Sequence, residues 1–150
     1  MFRGRYEHAI DPKGRTSLPS RFREVLAGVD DGRVIMTSSF HPCVVVYPLG
    51  EWRAFEDRLA KQSQFDESVE MLRRIYVSGA VECEVDKLGR VLVPQSLREH
   101  ASLTRDAIWA GMGATIELWD KSRYQAMRDD VLADPDKRQA MMRRLAELGL

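Results

Sequence analysis

The chain says one thing twice. Residues 7–24, EHAIDPKGRTSLPSRFRE, return 75 positions later as residues 82–99, ECEVDKLGRVLVPQSLRE. Glu7/Glu82, Asp11/Asp86, Gly14/Gly89, Arg15/Arg90, Pro19/Pro94, Arg23/Arg98 and Glu24/Glu99 are identical at that fixed offset. Internal self-similarity constrains a fold before any single motif does, because each copy must adopt the same supersecondary arrangement. The echo continues at a smaller offset. Val34-Ile35-Met36 corresponds to Ala107-Ile108-Trp109, and Val44-Val45-Val46-Tyr47 to Ile116-Glu117-Leu118-Trp119. Differences in loop length absorb the change. Two copies of strand–turn–strand–helix–strand–strand–helix therefore fill most of the 150 residues.

Halves of this size have marginal cores alone, so duplicated halves sharing one core are expected. A hydrophobic content of 44% with 31% charged residues marks a globular chain. No apolar run reaches the length of a membrane span and no signal-peptide core opens the chain, so a cytoplasmic protein without a membrane partner is expected. Cys43 and Cys83 lie in apolar runs without metal-ligand spacing, which points to buried reduced thiols. Lys and Arg balance Asp and Glu at 23 each, which excludes a general polycation but not a local basic face. Arg3, Arg5, Lys13, Arg15, Arg21 and Arg23 crowd the first copy, while residues 56–70 hold many of the compensating carboxylates.

Asp11-Pro12-Lys13-Gly14 has the residues of a type I turn, with Gly14 supplying the left-handed position of a three-residue hairpin with a bulge. Asp86-Lys87-Leu88-Gly89 keeps the Asp and the Gly. Strands are expected at Tyr6–Ile10 with Thr16–Leu18 and at Val81–Val85 with Val91–Val93, each pair making a tight hairpin. Pro19 and Pro94 then open short helices to about Leu26 and Ala101. A second hairpin follows in each copy, Val34–Thr37 with Cys43–Tyr47 and Ile108–Ala110 with Thr115–Trp119. Trp52, Phe55 and Leu59, then Val69, Leu72 and Tyr76, then Tyr124, Met127 and Val131 lie at helical spacing. Their stripes suit core or interface. The tail after Asp134-Pro135 reads as one more amphipathic helix. A shared core is expected under Val34, Val44, Val46, Ile108, Ile116 and Leu118.

Turn geometry needs Asp and Gly but has no need of Arg. Both copies nevertheless carry Arg15 and Arg90 while much of the surrounding apolar sequence differs. Arginine makes bidentate contacts to phosphate and guanine, and a two-stranded ribbon fits the DNA major groove. Asp beside Arg either orients the guanidinium or caps its own turn.

The resemblance that follows rests on Met1-Phe2-Arg3-Gly4, Asp11-x-Lys13-Gly14-Arg15, Pro19, Arg23 and His41-Pro42-Cys43 through Tyr47-Pro48. It continues through Asp86-x-x-Gly89-Arg90, Pro94, Leu97-Arg98, Ala101, Leu103-Thr104 and Glu117-Leu118-Trp119. On these residues the chain resembles the MraZ family of bacterial transcriptional regulators, built from two SpoVT/AbrB-type domains. The resemblance implies an α+β, mainly β fold: a duplicated swapped-hairpin AbrB-type β-barrel formed by two repeats in one chain, with flanking helices. Its expected division is 1–53 and 79–125 for the two repeats, 54–78 for connecting helices and 126–150 for a helical tail. The family's Asp-x-x-x-Arg element maps to Asp11/Arg15 and Asp86/Arg90. Candidate DNA-binding residues are Arg3, Asp11, Lys13, Gly14, Arg15, Asp86, Lys87, Gly89 and Arg90. The resemblance further implies ring-like homo-oligomers on promoter direct repeats of double-stranded DNA, repression of the division and cell-wall gene cluster, and association with the nucleoid. One departure is Leu88, which stands opposite Lys13.

Two rival classes are weaker. His8, His41 and His100 lack metal-ligand or catalytic spacing, Ser38-Ser39 lacks a nucleophile elbow, and Gly111-Met112-Gly113 opens a strand without a third glycine. No catalytic residue, metal or cofactor is expected. An antitoxin-like protein of the same fold, binding DNA and sequestering a partner toxin, is the alternative; the helical character of the tail argues against it.

Overall fold

The computed structural model describes residues 1–150, the side chain of Asp30 excepted. Its contacts divide into two units, Met1–Asp120 and Lys121–Leu150. In the first unit the elements run β1 (Arg5–Ala9), β2 (Arg15–Ser17), α1 (Ser20–Ala27), β3 (Arg33–Ser38), β4 (Cys43–Pro48), α2 (Leu49–Ala60) and α3 (Glu67–Leu72). A π-helical segment, Arg73–Val77, leads into β5 (Val81–Glu84), β6 (Arg90–Leu92), α4 (Gln95–His100), β7 (Asp106–Gly111) and β8 (Ile116–Asp120). This is an α+β, mainly β chain made of two like repeats.

The second hairpin of each repeat forms as expected, β3 with β4 and β7 with β8, but the strands of the first hairpins do not pair with each other. β1 runs antiparallel to β7, with Tyr6 opposite Trp109. β5 runs antiparallel to β3, with Cys83 opposite Val34. β2 pairs with β6, Thr16 opposite Val91. Within the first repeat no ladder joins β1 to β2 among the described residues; the Ile10–Thr16 bridge, the Asp11 N–H to Arg15 O bond and a His8 hydrogen bond to the Ser17 backbone tie the two arms. The hairpins are therefore exchanged between repeats. The bulge at each tip turns the chain sharply, and β2 and β6 span three residues each. Such short strands gain more from each other and from the core than from extending a two-stranded ribbon, which is marginal alone.

The larger sheet has the order β1-β7-β8-β4-β3-β5. Among the described residues no ladder joins β1 to β5, so the backbone pairing does not close the sheet; the β2–β6 ribbon is a separate two-stranded piece. Exchanging equivalent residues maps Val44–Leu118 onto Ile116–Val46, and Arg15–Leu92 onto Arg90–Ser17, both observed pairs. An approximate two-fold axis thus passes through β4–β8 and through the ribbon.

One core serves both repeats. Leu18, Phe22, Leu26, Val34, Val44 and Val46 meet Val91, Val93, Leu97, Ala101, Ile116 and Leu118 in it. Ile108 departs from the expectation. Its neighbours Ala107 and Trp109 are fully buried, while Ile108 is half-buried. Side chains alternate along a strand, so the phase of β7 sends Trp109 into the core and Ile108 to the other face. Tyr47, Phe55 and Tyr76 pack with Trp52 in a smaller cluster on Ile35 and Leu49. Cys43 and Cys83 are free and buried. Burial pushes the Cys43 thiol up to about 12 and that of Cys83 up to about 11, so both stay protonated and inert.

The second unit is a helical pair, α5 (Lys121–Leu132) and α6 (Pro135–Glu147). Asp134 caps α6 by accepting from the N–H groups of Asp136 and Lys137, and Pro135 sits in its first turn. Met141, Met142, Leu145 and Leu148 of this tail are exposed. No helix of the chain is long and apolar enough to cross a membrane.

Candidate nucleic-acid interface

Each tip is a type I turn closed by a glycine. Gly14 N–H donates to Asp11 O at 2.9 Å and Asp11 N–H to Arg15 O at 2.8 Å; Gly89 to Asp86 O and Asp86 to Arg90 O repeat both distances. Gly14 and Gly89 have φ of +90° and +75°, where any side chain is strained.

The two aspartates perform both roles open to them. Asp11 Oδ1 accepts from the N–H groups of Lys13 and Arg15 at 3.0 and 2.9 Å, and its Oδ2 accepts from Arg15 Nε at 2.8 Å. Asp86 Oδ1 takes Leu88 and Arg90 N–H at 2.9 Å, and Oδ2 takes Arg90 Nε at 3.0 Å. The backbone N–H of Arg15 above all holds the Asp11 carboxyl below its ordinary range, and that of Arg90 does the same for Asp86. Half-exposed ion pairs of this kind contribute little stability. Their consequence is directional: Asp engages Nε, and among the described residues the terminal guanidinium nitrogens of Arg15 and Arg90 have no partner.

The ribbon fixes where those forks point. Thr16 and Val91 face the core, so Arg15, Ser17, Arg90 and Leu92 face outward. Arg15 and Arg90 are diagonal neighbours on adjacent strands, roughly 7–8 Å apart at the backbone. That is about two base-pair steps of 3.4 Å. Lys13, Lys87 and Leu88 are exposed at the tips themselves. Arg3 is not gathered with them. It follows Phe2, which bridges Gly113, and lies at the far end of β1, on the order of 20 Å from Asp11 by strand rise.

Each tip is also braced by the opposite repeat. Leu18 N–H donates to Gly89 O and Val93 N–H to Gly14 O, both at 2.9 Å. Arg98, anchored by Nε on Val93 O at 3.0 Å, lies against Gly14 so closely that a Cβ there would sit 2.6 Å from its Cζ. Arg23 covers Gly89 in the same way. Sequence reasoning assigned no role to Arg23 and Arg98. The signal was present, since both recur at the 75-residue offset. Arg105, an unrepeated residue, was missed with no signal at all.

Residues 1–75 and 76–145 each match the family described as "MraZ protein, putative antitoxin-like". The chain belongs to the MraZ family. It is 36% identical over 152 residues, covering all of both chains, to a protein named transcriptional regulator MraZ from Pectobacterium carotovorum. The protein of that name from Heliobacterium modesticaldum is 44% identical over 83% of this chain and 84% of its own, and the one from Alkaliphilus metalliredigens 39% over the full length of both. The match of the family twice in succession agrees with the repeat, and the MraZ-type halves it delimits are those that exchange strands.

Proposed function

We propose that the chain is a sequence-specific regulator of transcription that grips the major groove of double-stranded DNA with the outward face of the β2–β6 ribbon. The single observation that carries this reading is the pair of guanidiniums, Arg15 and Arg90, each held at Nε by its own aspartate with its bidentate end turned outward. The names of the relatives support it. Lys13 and Lys87 meet phosphates at the ends of the ribbon, while Gly14 and Gly89, buried under Arg98 and Arg23, hold the turns that present them. Arg3 contacts DNA only where the duplex extends well past the first tip.

The reading extends to repression of the division and cell-wall gene cluster, the chain's own gene included, through direct repeats in the promoter. One ribbon holds only a few base pairs. Several copies in a ring-like homo-oligomer on successive boxes give avidity gains of ~10²–10⁴ without new contacts. The exposed Met141, Met142, Leu145 and Leu148 of α6 support self-association. A cytoplasmic, nucleoid-associated location follows from the same activity. The experiment is affinity for the DNA upstream of the gene with one, two or three boxes and with the spacing shifted by half a helical turn. Steep dependence on number and phase is expected, and equal affinity for all of them contradicts the ring. The family's antitoxin-like description favours a second reading, a small dimer that sequesters a partner; a solution mass of a large closed oligomer separates the two.

A further inference from the structure

We propose that a cavity beside the first tip, of about 760 Å³, is an oxyanion site that takes a phosphate group. Arg15, Arg90, Arg98 and Arg105 line it, with Asp11 the one carboxylate among its walls. Asp11 is spent on Arg15 Nε and on its own turn. Arg98 donates Nε to Val93 O, which leaves its terminal nitrogens without a partner among the described residues; Arg105 has no side-chain partner among them either. Asp86 holds Arg90 at Nε as Asp11 holds Arg15, so four guanidiniums share two engaged carboxylates, and an oxyanion offsets the excess positive charge while accepting the remaining N–H groups.

The internal repeat supplies the control. Across the pseudo-two-fold the positions of Thr104 and Arg105 are held by Asp31 and Gly32. The hollow on that side is smaller, about 440 Å³, and Asp31 and Asp86 line it together with Arg23 and Lys87. Duplication preserved the turn and the Arg at both tips but put the extra guanidinium at one only. Each chain therefore has one phosphate site.

The phosphate belongs either to the DNA backbone or to a free phosphorylated small molecule, which in this position competes with DNA. Arg15 and Arg90 are shared with the DNA face, so the inference rests in part on that reading; Arg98 and Arg105 are not. The test uses the full chain, with Arg105→Ala and Arg105→Gln. Arg105 is exposed, so both variants keep the fold. Inorganic phosphate is titrated against the DNA-free protein at constant ionic strength and followed by amide chemical shifts. Saturable binding is expected, about tenfold weaker in each variant. Box DNA is titrated in parallel. If the DNA backbone is the source, Arg105→Ala lowers affinity and reduces the log–log salt slope by about one unit. If a free phosphate is the source, DNA affinity and slope stay unchanged and added phosphate displaces DNA from the wild type. Phosphate binding that both variants retain unchanged, or no saturable binding together with unaltered DNA affinity and slope, overturns the proposal. An Arg15→Ala arm keeps the two readings apart: loss of DNA binding there with no effect at Arg105 spares the DNA reading and removes the phosphate site.

Discussion

The two tips share a backbone and differ in their surroundings. Both have the same turn, the same aspartate on two N–H groups and on Nε, and the same brace from the opposite repeat. Around the first tip are Lys13, Arg98 and Arg105; around the second are Leu88, Arg23 and Asp31. The shared part is what the fold and the Arg geometry demand. On the proposed reading, the unshared part sets how strongly each end holds an anion. Leu88 and Leu92, exposed on or beside the ribbon, replace Lys13 and Ser17 of the first repeat and give the second end an apolar contact surface. Apolar side chains meet the thymine methyl in the major groove, so the weaker phosphate grip can coexist with base discrimination.

The largest effect expected comes from separating the repeats. Residues 1–76 alone contain β1 and β2 without β7 and β6, and β3 without β5. The fragment should show no cooperative urea transition as a monomer, or should pair with itself to rebuild the exchange. A monomeric fragment that melts cooperatively would remove the shared-core comparison altogether.

Next in size are the tip glycines. Gly14→Ala and Gly89→Ala each place a Cβ at positive φ and against an arginine of the other repeat. A loss of about 1–3 kcal/mol each is expected in denaturant unfolding, and the two losses should be similar because the geometry is. A loss at one tip alone would show that the brace is not symmetric.

A smaller effect is expected from Asp11→Asn and Asp86→Asn. The amide oxygen still accepts from the turn N–H groups, but the charge that holds Arg Nε is gone. Stability should change little, while DNA affinity falls severalfold as the fork loses its aim. Affinity that tracks stability in a titration of both variants would demote the aspartates to turn residues. The pH dependence has a definite sign. Both carboxyls titrate below the ordinary 3.8, so their contribution is complete above that pH and fades as pH falls through the lowered values.

The smallest difference lies at His8, whose counterpart is Cys83. Burial, and then the charge of Arg23, lower its pKa from 6.5. The folded state prefers the neutral ring, so its stability contribution is full above pH 6.5 and shrinks as pH falls below it. Unfolding midpoints from pH 7.5 to 5 should decline in the wild type and decline less in His8→Gln. Parallel curves would show that the ring is not discriminated.

What the sequence made legible is local. Asp and Gly at fixed places prescribed both turns, Pro19 and Pro94 marked helix starts that the structure places at Ser20 and Gln95, and the other strands and helices formed near the expected residues, although the stripes of α3 and α5 contain no buried residue. Partner choice was not legible from periodicity, since β1 carries nothing that prefers β7 over β2; only the family resemblance implied the exchange. The phase of β7 was hidden because Ala107-Ile108-Trp109-Ala110 is apolar at every position. The forks of Arg15 and Arg90 were legible through the repeat, and the braces Arg23 and Arg98 were written in the same identities. Arg105 comes beside the first tip only through packing across the repeats, which no spacing announces.

The central claim is that two outward guanidiniums on one exchanged ribbon hold DNA together. It is tested most directly by the affinity of Arg15→Ala, Arg90→Ala and the double variant for box-bearing duplex, with folding verified by their unfolding midpoints. Each single change should weaken binding by about 1–3 kcal/mol per contact, with the Arg15 loss the larger, and the double change should bring affinity to the non-specific level. Folded variants that bind box DNA as tightly as the wild type would contradict it.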